Sequence, residues 1–134
     1  MKHLAFTVAS LLATLIIPGT THAQDTTPSK NAILIDKFFV PAAAKQEFLE
    51  RMTYNRTYIR TLPGFLRDEI YSSTDADGNL HIVTVAVWKD QQAIDKAKEA
   101  VQAEYKKQGF DMPAMLNRLH ITIDRGIYSP MTEQ

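Results

Sequence analysis

Four stretches of this chain carry the apolar and β-branched patterning of strands, and two carry the period of a helix. AILIDKFFV at residues 32–40 puts Ile33, Ile35, Lys37 and Phe39 on one face and Leu34, Asp36, Phe38 and Val40 on the other. FLRDEIYSS at 65–73 and LHIVTVAVW at 80–88 predict the second and third strands, joined through a hairpin turn at Asp77-Gly78. RLHITIDRGIY at 118–128 predicts a fourth strand, with Leu119, Ile121 and Ile123 against His120, Thr122 and Asp124. After the first strand, Pro41 suits a first helical position. A helix is expected from Ala42 to about Thr61, where Leu62-Pro63-Gly64 stops it. Its apolar line is Phe48, Met52, Ile59 and Leu62, and Asn55 falls on that line; Tyr54 and Tyr58 form a second stripe. Asp90 fits the N-cap of a second helix over about Gln91–Gln108, with Ile94, Ala97, Val101 and Tyr105 inward and Gly109 at its stop. Asp111 and Pro113 suggest a short helical turn through Asn117.

The order β-α-β-β-α-β predicts an α+β, ferredoxin-like domain: one four-stranded antiparallel sheet with two helices on one face. The third strand is apolar on both sides, with Val83, Val85 and Val87 opposite Ile82, Thr84 and Ala86. Both faces therefore need cover. The helices supply one, and a second copy of the chain is the expected cover for the other, giving a homodimer. Asp36 is the oddity of the first strand, read either as an edge carboxylate or as a polar group facing a pocket.

Residues 1–23 read as a signal peptide: Lys2, an uncharged apolar run from Leu4 to Ile17, the breakers Pro18-Gly19, and Thr21-His22-Ala23 before a cleavage point near Ala23. A retained anchor is the alternative, though the run is short for a membrane span. The expectation is a secreted or periplasmic protein with no membrane contact after cleavage, a flexible lead at 24–31, a domain at 32–128 and a tail at 129–134. The whole chain has 15 Lys+Arg against 15 Asp+Glu. Loss of Lys2 leaves it close to −1, which gives no field to attract nucleic acid. It has no cysteine, so thiol nucleophiles, thiolate metal sites and disulfides are excluded.

Three pieces carry a resemblance. They are the passage of the first strand through Pro41 into a helix over Phe38–Phe48, Leu62-Pro63-Gly64-Phe65, and Val87-Trp88-Lys89-Asp90-Gln91-Gln92-Ala93. In these the chain resembles the antibiotic-biosynthesis-monooxygenase-like (ABM) family across about 32–128. The resemblance implies a dimeric α+β barrel with a cavity between sheet and helices. Some members oxidise quinols, anthrones or related aromatics with O₂ and without metal or flavin. Others bind or degrade haem. The haem-degrading type uses an Asn on the first strand and a Trp and His within the second helix. Matching through Trp88 puts Asp36, Ala97 and Lys107 there, which argues against haem degradation.

The expected function is thus binding of a small aromatic or quinone-like molecule, with cofactor-independent monooxygenation. The alternative is a non-catalytic dimer holding a small molecule or haem. Candidate catalytic residues are Asn55 as ligand hydrogen-bonder, Trp88 as stacking surface and His81 as base. Tyr58, Arg118 and His120 are candidates behind them. Each has a plainer use: Asn55 tied to backbone, Trp88 in the core, Tyr58 at an interface, Arg118 in solvent, the histidines at strand edges. No cofactor is expected. A metal held by His81 and His120 with Asp36 or Asp124 lacks compact ligand spacing. No phosphate-cradling glycine motif or nucleophile elbow is present.

Overall fold

A computed structural model describes residues 30–132; the expected signal segment and most of the lead lie outside them. Strand β1 (Ala32–Val40) is followed by a 3₁₀ turn (Ala42–Ala44) and helix α1 (Lys45–Ile59). Then come β2 (Phe65–Thr74), β3 (Leu80–Trp88), helix α2 (Gln91–Gln108), a short helix α3 (Met112–Arg118) and β4 (Thr122–Tyr128). The sheet order is β2-β3-β1-β4, antiparallel throughout. This is the ferredoxin-like arrangement expected from the sequence.

Local signals explain the junctions. Asp90 Oδ1 accepts from the Ala93 amide at 2.8 Å and starts α2. Asp111 Oδ1 does the same for α3 through Ala114. The 3₁₀ turn is capped from outside: the Ala42 amide donates to Asn79 Oδ1 of the β2–β3 hairpin. Gly64, at φ +83°, lies so close to α2 that a Cβ there would sit 2.5 Å from that of Ala93. Its carbonyl accepts from the Lys89 amide at 2.8 Å. Phe65 meets Trp88 edge-on beside it.

Two expectations need correction. The fourth strand begins at Thr122, not Arg118, because α3 runs on to Arg118 and ends in a left-handed turn. The Ile121 amide donates to Leu116 O and the His120 amide to Asn117 O, with His120 at φ +53°. That is the Schellman stop that also closes α2, where Gly109 takes the left-handed place. Glycine announces such a stop and histidine does not. Second, the first helix divides into the 3₁₀ turn and α1, and its α-helical part closes at Ile59.

The core lies between the sheet and the helices in two parts. One cluster joins Val40, Ala44, Phe48, Leu80, Ile82, Met115 and Ile121. The other joins Ala32, Trp88, Ala93, Ile94 and Ala97. The opposite sheet face, including Ile33, Ile35, Phe39, Val83 and Val85, carries none of the described helices. Among the described residues, no helix is long and apolar enough to cross a membrane.

Candidate functional site

Between the two apolar clusters the helix-facing side of the sheet turns polar. Strand register puts Arg125, Asp36, Thr84 and Ile70 in one row across β4, β1, β3 and β2. Asp36 is buried. Arg125 holds it bidentately, Nε donating to Oδ1 at 2.6 Å and Nη2 to Oδ2 at 2.7 Å. The buried carboxylate in this row is answered by a guanidinium on the next strand. The pair also holds the Arg125 guanidinium above its ordinary pKa.

The helices complete this layer. Tyr105, on the inward line of α2, brings its hydroxyl beside Arg51 and Asn55 of α1 and within electrostatic reach of Arg125. Burial raises the Tyr105 pKa despite those cationic neighbours, so the phenol stays protonated and can donate. The Schellman stop places Phe110 edge-on against Tyr105, ring centroids 5.1 Å apart. The Arg51 guanidinium then sits 3.4 Å over the Phe110 ring, with Tyr54 and Tyr105 at 5.0 and 5.1 Å. Both terminal nitrogens of Arg51 donate to Gln108 Oε1 at 3.1 Å.

Among the described residues, three buried side-chain atoms have no hydrogen-bond partner: Asn55 Oδ1, Trp88 Nε1 and Arg51 Nε. Asn55 and Arg51 belong to the layer. Trp88 belongs to the second apolar cluster, where Ile59, one turn of α1 beyond Asn55, packs beside it. Each atom left so costs about 1–3 kcal/mol. A group with a donor, an acceptor and an apolar body would relieve the first two.

The other sequence candidates lie elsewhere. His81 points from the sheet face opposite Asn55; its Nε2 is 3.1 Å from Asp75 Oδ2, and its ring meets Phe39 edge-on. His120 occupies the exposed turn after α3, not a strand. The two histidines therefore do not converge with each other, or with Asp36, on a metal. Tyr58 joins the helices, its hydroxyl donating to Ala100 O at 3.4 Å. Arg118 pairs with Glu47 at the start of α1. Arg51 and Arg125 are not among the residues expected from the sequence, and Tyr105 is expected there only as an inward residue of the second helix. Arg125 carried a signal: between Ile123 and Ile127 it interrupts an apolar face as Asp36 does, and both sit on the same row.

A cleft of about 260 Å³ lies along the other side of α1, between Lys45, Leu49, Met52 and Arg56 and the strand residues Ile70, Ser72, Leu80 and Ile82. It does not reach Asn55. Arg56 on its rim is bound, with Arg60, to Asp68.

The profile of the family "Antibiotic biosynthesis monooxygenase" matches residues 32–105. No curated protein matches the chain. Among solved structures, SnoaB from Streptomyces nogalater, described as a cofactor-independent oxygenase, is 22% identical with a TM-score of 0.59, over 78% of this chain and 96% of that one. A monooxygenase from the gene ActVA-Orf6 of Streptomyces coelicolor, in complex with Nanaomycin D, is 21% identical with a TM-score of 0.52, over 84% and 97%. A dimeric ferredoxin-like protein from an uncultured marine organism is 9% identical with a TM-score of 0.58, over 78% and 98%. At these identities the likeness is one of fold.

Proposed function

The chain belongs to the antibiotic biosynthesis monooxygenase family, and from that premise we propose that it is a cofactor-independent monooxygenase of a small hydroxylated aromatic or quinone-like molecule. The observation that carries this is the pair of unmet buried atoms, Asn55 Oδ1 and Trp88 Nε1, beside a polar layer bracketed by apolar clusters. A ligand hydroxyl donates to the first, a ligand carbonyl accepts from the second, and the ring lies against the apolar side chains. The fold is shared with a cofactor-independent oxygenase and with a monooxygenase that holds a ligand, which supports the reading.

The chemistry balances without a further redox partner. When a ring methylene of an anthrone becomes a carbonyl, one oxygen of O₂ enters the product and the other leaves as water. The substrate gives all four electrons. The protein has to hold the reduced aromatic, favour its ionised form and keep water away. The same proposal takes the protein as exported and as a homodimer through the uncovered sheet face. One observation favours a second reading, a binding protein that does not turn its ligand over: neither described histidine belongs to the layer.

Oxygen uptake decides between the two. The purified protein is offered reduced naphthoquinols and anthrones, with protein-free autoxidation and the Asn55→Ala variant as controls. Uptake above autoxidation that is lost in a folded Asn55→Ala variant is the expected result. Uptake equal to autoxidation across the panel, with ligand still bound, refutes the oxygenase and leaves the binding protein.

A further inference from the structure

We propose that the cleft between α1 and the β2–β3 hairpin is a second ligand site, which takes a medium-chain aliphatic carboxylate with its chain in the cleft and its head at Lys45. The inference stands apart from the layer, because the cleft does not reach Asn55.

The floor of the cleft is Ile70, Leu80 and Ile82, and its wall is Leu49 and Met52. Ile82 is fully buried, yet Leu49 is 38% exposed, so an apolar trough stands open to water. Edge strand β2 explains the opening. Its residues Asp68, Ile70, Ser72 and Thr74 lie opposite Ala86, Thr84, Ile82 and Leu80 of β3. The apolar line of β2 stops at Ile70, and the small side chain of Ser72 leaves space that a larger one would fill. At about 260 Å³ the cleft is smaller than the roughly 300–1,000 Å³ of a site for a drug-sized body. Among the described residues no aromatic side chain lines it. A flexible aliphatic chain suits such a trough, and a fused-ring aromatic does not.

Charge selects the head group. The charged residues that line the cleft, Lys45 and Arg56, are both cationic. Toward the end of α1, Arg56 is answered by Asp68, which also holds Arg60. At the hairpin end Lys45 is not answered: among the described residues no carboxylate lies within ion-pair distance of it. Asp75 of the hairpin is engaged by Asn79 and His81. Asp77 stands in the exposed turn. Glu47 and Glu50 line the opposite side of α1, beside Arg51. The Ser72 hydroxyl, at the same end as Lys45, also has no partner among the described residues. An ammonium and a hydroxyl offer donors to both oxygens of one carboxylate. The long stem of Lys45 can lie on the apolar wall while its charge stays at the mouth.

The probes are butanoate, hexanoate and octanoate, with octanamide as the isosteric neutral control. They are titrated into the purified protein and followed through its methionine methyl resonances. Octanoate should move the Met52 methyl, which lines the cleft, more than that of Met115, which lines the other side of α1. Affinity should rise about twofold to fourfold for each methylene added, the worth of a half- to fully buried methylene. Octanoate should bind at least about tenfold more tightly than octanamide, the worth of a hydrogen bond to a charged group. Lys45→Met should remove the difference between acid and amide, and Lys45→Arg should keep it. Ser72→Trp should abolish binding of both by filling the trough. Equal binding of acid and amide, no dependence on chain length, or a shift centred on Met115 overturns the inference. So does an unmoved Met52 methyl at the solubility limit of octanoate. If Ser72→Trp does not fold, the chain-length series and Lys45→Met still decide.

Discussion

Replacing Arg125 by methionine removes the only ion-pair partner of Asp36 among the described residues and keeps a side chain of similar length. The carboxylate is left with its side chain 9% exposed and two acceptors that had held hydrogen bonds of 2.6 and 2.7 Å. Removing one partner of a fully buried pair costs roughly 3–5 kcal/mol. The Arg125 side chain is 56% exposed, so water reaches the vacated carboxylate and the expectation falls to about 2–3 kcal/mol. For a domain of this size, that lowers Tm by roughly 10–20 °C. Adding Asp36→Leu recovers most of the loss, because Leu34 and Phe38 flank that position with apolar surface and a buried pair exchanged for hydrophobic groups is often neutral. Urea unfolding followed through Trp88, the single tryptophan, measures the double-mutant cycle. A change below about 0.5 kcal/mol in Arg125→Met would refute the reasoning, since Asp36 would then be satisfied without Arg125.

Four further outcomes are expected. Burial pushes the Asp68 carboxyl up, but Arg56 and Arg60 together bring it below its ordinary value. Its contribution to stability is therefore full above pH about 4 and lost as pH falls through the depressed value. The gap between wild type and Asp68→Asn should close on acidification, and a gap that widens would contradict the sign. Gly64→Ala meets both a left-handed backbone and the Ala93 Cβ at 2.5 Å; a loss of at least about 2 kcal/mol is expected. Ala93→Gly in the same chain should restore the steric part only, as read by thermal unfolding. His120→Gly relieves the positive φ and should stabilise by about 0.5 kcal/mol, with no gain meaning that the turn tolerates histidine. Val85→Asp puts a charge between Ile35 and Glu69 on the uncovered face; under the homodimer proposed above, sedimentation should show a dimer for the wild type and a monomer for the variant, and an equal mass for the two would place the contact elsewhere.

The architecture was legible because its signals are local and repeat. Period-two strands, Asp90 and Asp111 as caps, Gly109 as a stop and Leu62-Pro63-Gly64 as a breaker each act within a few residues. The start of β4 was not, because a Schellman stop closed by His120 looks like one more polar residue in an alternating strand. For the site, the sequence picked out Asn55 and Trp88 by residue type and position, and both prove to carry buried unpaired atoms. It marked Asp36 as anomalous but could not pair it. The partner lies 89 residues away and is found only when β4 and β1 are set in register. Arg51 was hidden for another reason. On a helix wheel it is an ordinary surface charge, and its enclosure depends on Phe110, which arrives from the loop after α2. His81 has the chemistry of a base, but period two in β3 turns it to the other face.

The contact of Gly64 with Ala93 has a bearing on how such proteins diverge. It sits where the end of the α1 loop meets the start of α2, and it unites two of the short sequence pieces by which the chain resembles its family. Selection on that contact is selection on a joint: a larger residue on either side forces loop and helix apart, whatever the protein binds. Ala93 belongs to the second apolar cluster, which does not include Asp36, Arg51, Tyr105 or Arg125. A lineage can therefore keep its recognisable pieces unchanged while the charges of the layer drift. Kinship between such chains is inherited through the joint.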